Sequence, residues 1–165
     1  MDITFSRLEK EDTEGIRQMS RLATAIVREH YDPIIGTEQN DYMLKKYQSA
    51  EAIEKQITEG SMYYFVCADA EPVGFISIIP YESEMYLDKF YLRKDMRGKG
   101  IAHLMLEHII IQTEKAGLDR IMLNVNKNNP SVGVYEKLGF KNEESVKQDI
   151  GGGFYKDDYI FRYYL

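Results

Sequence analysis

Residues 85–115 read MYLDKFYLRKDMRGKGIAHLMLEHIIIQTEK. Residues 85–92 are aromatic and branched, which favours a strand. Residues 93–99 form a short basic turn with Arg93, Lys94, Arg97 and Lys99. Ile101, Leu104, Met105 and Ile109 then recur at helical spacing, and Gly117 stands where a helix cap is needed. The segment is therefore strand, glycine turn, helix. Glycines at 98 and 100 let an anion approach the backbone, and the free N–H groups of a helix start point at it. This predicts a phosphate or pyrophosphate site. A Walker A loop is excluded, because Ile101 follows Gly100 where Lys and Ser or Thr are needed. A dinucleotide fingerprint needs a third glycine where His103 stands, and it opens a βαβ unit. This turn comes late, after an expected antiparallel run.

Outward from that segment, the pattern predicts strands at 62–68 and 73–79, joined by a turn at Glu71 and Pro72. With 85–92 they form an antiparallel meander. A helix over 98–115 and a strand over 120–125 follow, and a helical crossover favours parallel pairing. A polar turn at 126–129 leads to a short helix over 131–138 closed by Gly139, then strands at 140–149 and 155–164. Upstream, 3–5 reads as a strand. Thr13 is placed to cap a helix that ends near His30, because Asp32 precedes Pro33. Residues 31–39 read as loop, and 42–47 and 49–59 as helical pieces, with Ser49 as a cap. The order is β-α-α-β-β-β-α-β-α-β-β: one α/β (α+β) domain over 1–165 with a single mixed, mostly antiparallel sheet.

A chain of 165 residues suits one sizeable core. Apolar content of 44% with 29% charged residues fits a globular protein. The single cysteine, Cys67, excludes an intramolecular disulfide framework and suits a reducing, cytoplasmic setting. Residues 1–10 lack the apolar region of a signal peptide, and no apolar run is long enough to span a bilayer. A net charge of −6 argues against nucleic acid and favours a cationic substrate. No cluster of His, Cys, Asp or Glu has metal-ligand spacing.

Arg97, Gly98, Lys99, Gly100, Ile101 and Ala102 resemble the pyrophosphate-binding signature of the GNAT N-acetyltransferase family, Arg/Gln-x-x-Gly-x-Gly/Ala. A second stretch agrees. Residues 124–140, NVNKNNPSVGVYEKLGF, resemble the family's Asn-x-x-Ala-Ile-x-x-Tyr-Glu-Lys-x-Gly-Phe, with Asn128, Ser131 and Tyr135 at the asparagine, alanine and tyrosine positions. Ser131 and Val132 are mild departures. The resemblance implies the GNAT fold and acetyl-CoA as acyl donor. It covers residues 62–165 well, and the N-terminal part only by element order.

By that resemblance, backbone groups of Phe90, Tyr91 and Leu92 contact the pantetheine arm between splayed fourth and fifth strands. Residues 97–102 bind the pyrophosphate. Tyr135 serves as general acid to the departing sulfur; its ordinary alternative is a core tyrosine. Asn128 bonds the arm or caps a helix, and Lys137 reaches coenzyme phosphates or is simply solvated. The family's glutamate base falls at Tyr86. Glu84 and Asp88 flank it, and alternation puts the three on one face. Each carboxylate could equally be an ordinary surface charge.

Residues 31–36, Gln39, residues 41–44 and the tail 153–159 look like a bacterial subgroup described as spermine/spermidine acetyltransferase-like. This implies a small cationic amine acceptor, with Asp32, Glu38, Asp41, Asp157 and Asp158 among Tyr31, Tyr42, Tyr155 and Tyr159. Acetylation of a protein N-terminus or lysine, and non-catalytic acetyl-CoA sensing, stay open, as does a homodimer.

Overall fold

The structure, a computed structural model, describes residues 1–165, the side chain of Lys156 excepted. Seven strands form one sheet in the order β1-β2-β3-β4-β5-β7-β6. These are β1 Ile3–Arg7, β2 Met62–Ala68, β3 Glu71–Tyr81, β4 Glu84–Leu92, β5 Arg120–Asn126, β6 Lys141–Gly151 and β7 Phe154–Tyr164. All neighbours are antiparallel except β4 and β5. The mixed, mostly antiparallel sheet is thus as the sequence predicts.

Helices cover both faces. On one lie α1 Thr13–Ile35, α2 Thr37–Tyr47 and α3 Ala50–Thr58; on the other lie α4 Ile101–Lys115 and α5 Ser131–Leu138. Each face has its own core. Ile16, Met19, Ala23, Leu44 and Ile53 pack with Tyr63, Phe65 and Phe75. Ile101, Met105, Ile109 and Leu138 pack with Ile76, Met85, Leu87, Leu123 and Phe161. Side chains of opposite parity on the central strands feed the two layers.

Several boundaries differ from expectation. The β2–β3 turn is Asp69 and Ala70, both with positive φ, and Pro72 lies inside β3 where the register shifts beside Cys67. A proline is tolerated at such a bulge because its missing N–H has no ladder partner there. Asp12, not Thr13, caps α1: its carboxylate accepts from Gly15 N–H at 2.9 Å. Ser49 caps α3 through Ala52 N–H as expected.

The largest correction concerns residues 31–39. Helix α1 runs through Pro33 to Ile35, and α2 starts at Thr37 after the single hinge residue Gly36. A proline inside a helix removes one bond and crowds the preceding turn. Here tertiary contacts hold that turn. Asn40 Nδ2 on α2 donates to Asp32 Oδ1 at 2.7 Å and to Val27 O at 3.4 Å. No helix among the described residues is long and apolar enough to cross a membrane.

Candidate active site

The parallel pairing of β4 and β5 is confined to Met85 with Ile121 and Tyr86 with Met122. Beyond those pairs the strands diverge, so β4 keeps a free edge from Leu87 to Leu92. Phe90, Tyr91 and Leu92 pair with Ile76, Phe75 and Gly74 of β3 on one side only. Their other edge faces the gap, where an extended amide chain could bond like a strand.

At the open end of the gap the chain makes a short 3₁₀ turn, Lys94–Met96, and enters α4. Gly98 and Gly100 have φ of +75° and +80°, and no atom lies within 4 Å of where a Cβ would sit on either. Gly100 is the N-cap of α4 and offers no capping side chain, so the first N–H groups of the helix remain free. Lys94 and Lys99 are exposed and in no ion pair among the described residues. Arg93 is engaged by Glu71 and Asp95. The Arg97 guanidinium turns back to donate to Leu92 O at 3.3 and 3.2 Å, tying the turn to β4. The expected basic cluster therefore reduces to two free lysines around a backbone cradle. Ile101 is buried and Ala102 half-buried, so they can contribute only main-chain groups.

Tyr135 on α5 is buried, with its ring 5.8 Å from Phe90 and from Phe140. No described residue hydrogen-bonds its hydroxyl. Burial, with a smaller contribution from Tyr31, pushes its pKa well above the ordinary phenol value, so it is a neutral donor at any physiological pH. Asn128 is exposed on the β5–α5 turn, its N–H bonded to Asn126 Oδ1. The side chain that bonds the start of α5 is the neighbouring Asn129, whose Oδ1 accepts from Ser131 N–H at 2.8 Å. Lys137 is exposed, without an ion pair among the described residues.

On the other face of the gap lies a cavity of ≈ 330 Å³ walled by α1, α2, β4, β5 and the β6–β7 hairpin. Tyr86, Asp88, Lys89 and Tyr91 line it together, which strict alternation would forbid. The reason is a bulge: Ser77 pairs with Lys89 and Ile78 with Leu87, leaving Asp88 as the extra residue. Asp88 ion-pairs Lys89, whose side chain is only 7% exposed. Lys89 was no sequence candidate, since nothing in its local pattern marks the bulge that turns it inward.

The two carboxylates weighed as bases separate. Asp88 lines the cavity. Glu84 does not: at the start of β4 its Oε1 accepts from Arg162 Nε at 2.5 Å, and Arg162 also holds Glu143 and Glu144. Its charge fastens β4 to β7 across β5.

The acidic acceptor loops are also reduced. Asp32 and Asp41 share Arg28, at 3.8 and 2.5 Å, and Asp157 pairs with Lys127 at 3.1 Å. Glu38 is exposed. Of the five carboxylates expected there, only Asp158 lines the cavity, where it is buried beside Asn124 and Asn126. The far end is closed by α2 on the β6–β7 hairpin. Tyr42 Oη donates to Ile150 O at 3.3 Å, Lys46 Nζ to the same oxygen at 3.1 Å, and Gln39 Nε2 to Tyr155 O at 3.2 Å. The hairpin turn, Gly151, Gly152 and Gly153, has positive φ throughout, and a Cβ on Gly151 would meet Tyr42 Oη at 2.8 Å.

A split parallel pair, a glycine cradle at a helix start and a buried phenol are features that an acyl-coenzyme A transferase could use. Residues 31–155 match the family model described as acetyltransferase (GNAT) domain. The chain belongs to the GNAT acetyltransferase family and is an acetyl-CoA-dependent N-acetyltransferase. It is 30% identical over 116 residues to the peptidyl-lysine N-acetyltransferase YjaB of Salmonella typhimurium, covering 68% of this chain and 74% of that protein. Its identity to the Escherichia coli protein of the same name is 26% over 116 residues. Among solved structures it superposes on the PaiA N-acetyltransferase of Thermoplasma acidophilum in complex with coenzyme A, with TM-score 0.81 and 22% identity over 100% of both chains. A GNAT acetyltransferase of Elizabethkingia anophelis with acetyl-CoA bound gives TM-score 0.67 at 14% identity, over 99% of this chain and 98% of that one. At such identities these likenesses concern the fold.

Proposed function

We propose that the acceptor is a primary amine on a flexible cationic stem, with spermidine or spermine as the fitting class. One observation carries this reading. The cavity that opens onto the β4–β5 gap is closed at its far end and walled by two carboxylates, Asp158 and the Lys89-paired Asp88, among the rings of Tyr31, Tyr47, Tyr86 and Tyr155. Its volume of ≈ 330 Å³ is at the small end for ligand sites. Carboxylates attract an ammonium, and aromatic faces accept ammonium groups and methylene stems.

In this reading residues 97–102 hold the pyrophosphate, and the free edge of Phe90, Tyr91 and Leu92 aligns the pantetheine arm. Asn128 and Lys137 stand beside the path. The thioester supplies an activated acetyl group. The amine first loses a proton to Asp88, directly or through water, and its lone pair then forms the N–C bond. The C–S bond breaks and the carbonyl re-forms as Tyr135 gives its proton to sulfur, and the second proton lost from nitrogen returns through water to the Tyr135 phenolate. Holding both reactants over the gap removes the entropic cost of their meeting.

A second reading is a lysine side chain of a protein, which the name of the YjaB relatives favours. The two differ in what lies behind the reacting amine. Spermidine fits inside a closed cavity, whereas a peptide backbone must stay outside it. Acetyl-CoA turnover with spermidine and with a lysine-containing peptide, at equal ionic strength, decides. Turnover of spermidine with the larger kcat/KM is expected; preference for the peptide would overturn the small-molecule reading.

A further inference from the structure

Side chains from three separate elements converge on one hydroxyl at the mouth of the gap. Tyr31 Oη, on α1, lies 3.2 Å from Tyr91 Oη on β4 and 3.1 Å from Asn129 Nδ2 on the turn after β5. It thus spans the two diverging strands. The orientation of the Asn129 amide is determined by its neighbours. A backbone N–H can only donate, so the atom 2.8 Å from Ser131 N is Oδ1. His30 Nε2 reaches the same oxygen at 2.8 Å. Nδ2 is therefore the atom facing Tyr31, and it donates. Tyr91 Oη, packed against Phe75 with no other partner among the described residues, donates the second bond.

A phenol oxygen has two acceptor positions and one proton. On Tyr31 both acceptor positions are filled, and the proton has no acceptor among the described residues. Tyr31 also lines the cavity. It therefore presents the cavity with a donor and nothing else. Burial keeps this phenol neutral, since it raises the pKa further than the two donated bonds lower it.

Of the reacting atoms, few can take that proton. An ammonium offers only N–H groups. The lone pair of the free amine must stay open for attack. The sulfur is served by Tyr135. The carbonyl oxygen of the acetyl group remains, and it accepts more strongly as negative charge collects there.

We infer that Tyr31 is a catalytic residue that donates a hydrogen bond to the thioester carbonyl oxygen, with Tyr91 and Asn129 as the positioning residues that aim it. The inference rests on the reading that the acetyl group lies at the β4–β5 gap. The proton stays on Tyr31 throughout; no bond to it is made or broken. Tyr31 donates to the developing oxyanion, and Tyr135 protonates the leaving sulfur.

The test is infrared spectroscopy of acetyl-CoA labelled with ¹³C at the carbonyl, bound to the whole protein without acceptor. A hydrogen bond lowers the carbonyl frequency. The wild type should show a lower frequency than Tyr31→Phe, while Tyr135→Phe matches the wild type. Tyr31→Phe should also lose roughly 10²–10³-fold in kcat, the usual weight of one oxyanion donor, at unchanged acetyl-CoA affinity. Equal frequencies in the wild type and Tyr31→Phe, both with acetyl-CoA bound, would overturn the inference. Should Tyr31→Phe fail to fold, Tyr91→Phe keeps the hydroxyl but frees one of its lone pairs. A frequency above that of the wild type is then expected, and an unmoved one overturns the inference. Unchanged coenzyme affinity in Gly100→Val would be a different failure, one of the coenzyme site itself.

Discussion

Replacing Gly100 with valine separates the cost of backbone strain from the loss of an anion site. Gly100 has φ +80° and an open space where a Cβ would stand. An L-residue in the left-handed region costs about 1–2 kcal/mol. For a chain of this size that lowers Tm by about 2–8 °C. No clash adds to it. The branched side chain would, however, occupy the space in front of the first N–H groups of α4. A net hydrogen bond to a charged group is worth about 1.5–3 kcal/mol. Losing one raises Kd for coenzyme A by roughly 10–10²-fold. Gly117 supplies the control. Its φ is +76°, its Cβ position is equally open, and it lies at the other end of the same helix. Fifteen helical residues separate the two ends, about 22 Å. Gly117→Val should therefore match the fall in Tm and leave Kd unchanged. Calorimetric titration with coenzyme A and thermal unfolding of both variants read the two effects apart. Equal affinity losses in both, or none in Gly100→Val, would refute the assignment of residues 97–102 to the pyrophosphate.

Further outcomes are expected. Tyr135→Phe should retain coenzyme binding and lose roughly 10²–10⁴-fold in kcat when chemistry limits the rate; full kcat would return Tyr135 to the core. Because burial raises its pKa, the alkaline limb of kcat should not fall at the ordinary phenol value of about 10. Stability should fall on acidification. Burial lowers the pKa of His30 and His108, so below about 6.5 the unfolded chain binds protons that the folded chain refuses. His108 stacks on Phe5 at 4.4 Å with a buried, unpartnered Nε2. His108→Phe should flatten the loss of denaturation midpoint between pH 8 and pH 5, and an unaltered slope would exclude His108 as a source of it.

The sheet was legible because its strands are locally marked. Alternation and branched residues bracket β2, β3 and β4, and the glycines at 98, 100 and 139 stand where left-handed backbone is needed. What was not legible depends on distant partners. Pro33 argues locally for a helix end, yet Asn40 holds the turn around it, so α1 carries Tyr31 to the gap. Once residues 31–39 read as loop, the face Tyr31 presents has no meaning. The Asn129–Tyr31 bond joins residues 98 apart, and the Glu84–Arg162 bond residues 78 apart. The bulge at Asp88 has no residue signature, and only the β3 register discloses that Lys89 faces the cavity. The acidic loops misled for the same reason, since Arg28 and Lys127 neutralise carboxylates that composition alone counts as free.

The acceptor reading is tested most directly by kcat/KM for spermidine and for butylamine, each at low and at high salt. The long-range attraction of a chain of net charge −6 for a polycation weakens as the Debye length shrinks from about 30 Å at 0.01 M salt to about 8 Å at 0.15 M. A site in which Asp158 holds the distal ammonium while Asp88 serves the reacting amine predicts that spermidine is the better substrate at low salt and that its advantage shrinks as salt rises. Equal efficiency for the two amines, with a ratio indifferent to salt, would contradict it.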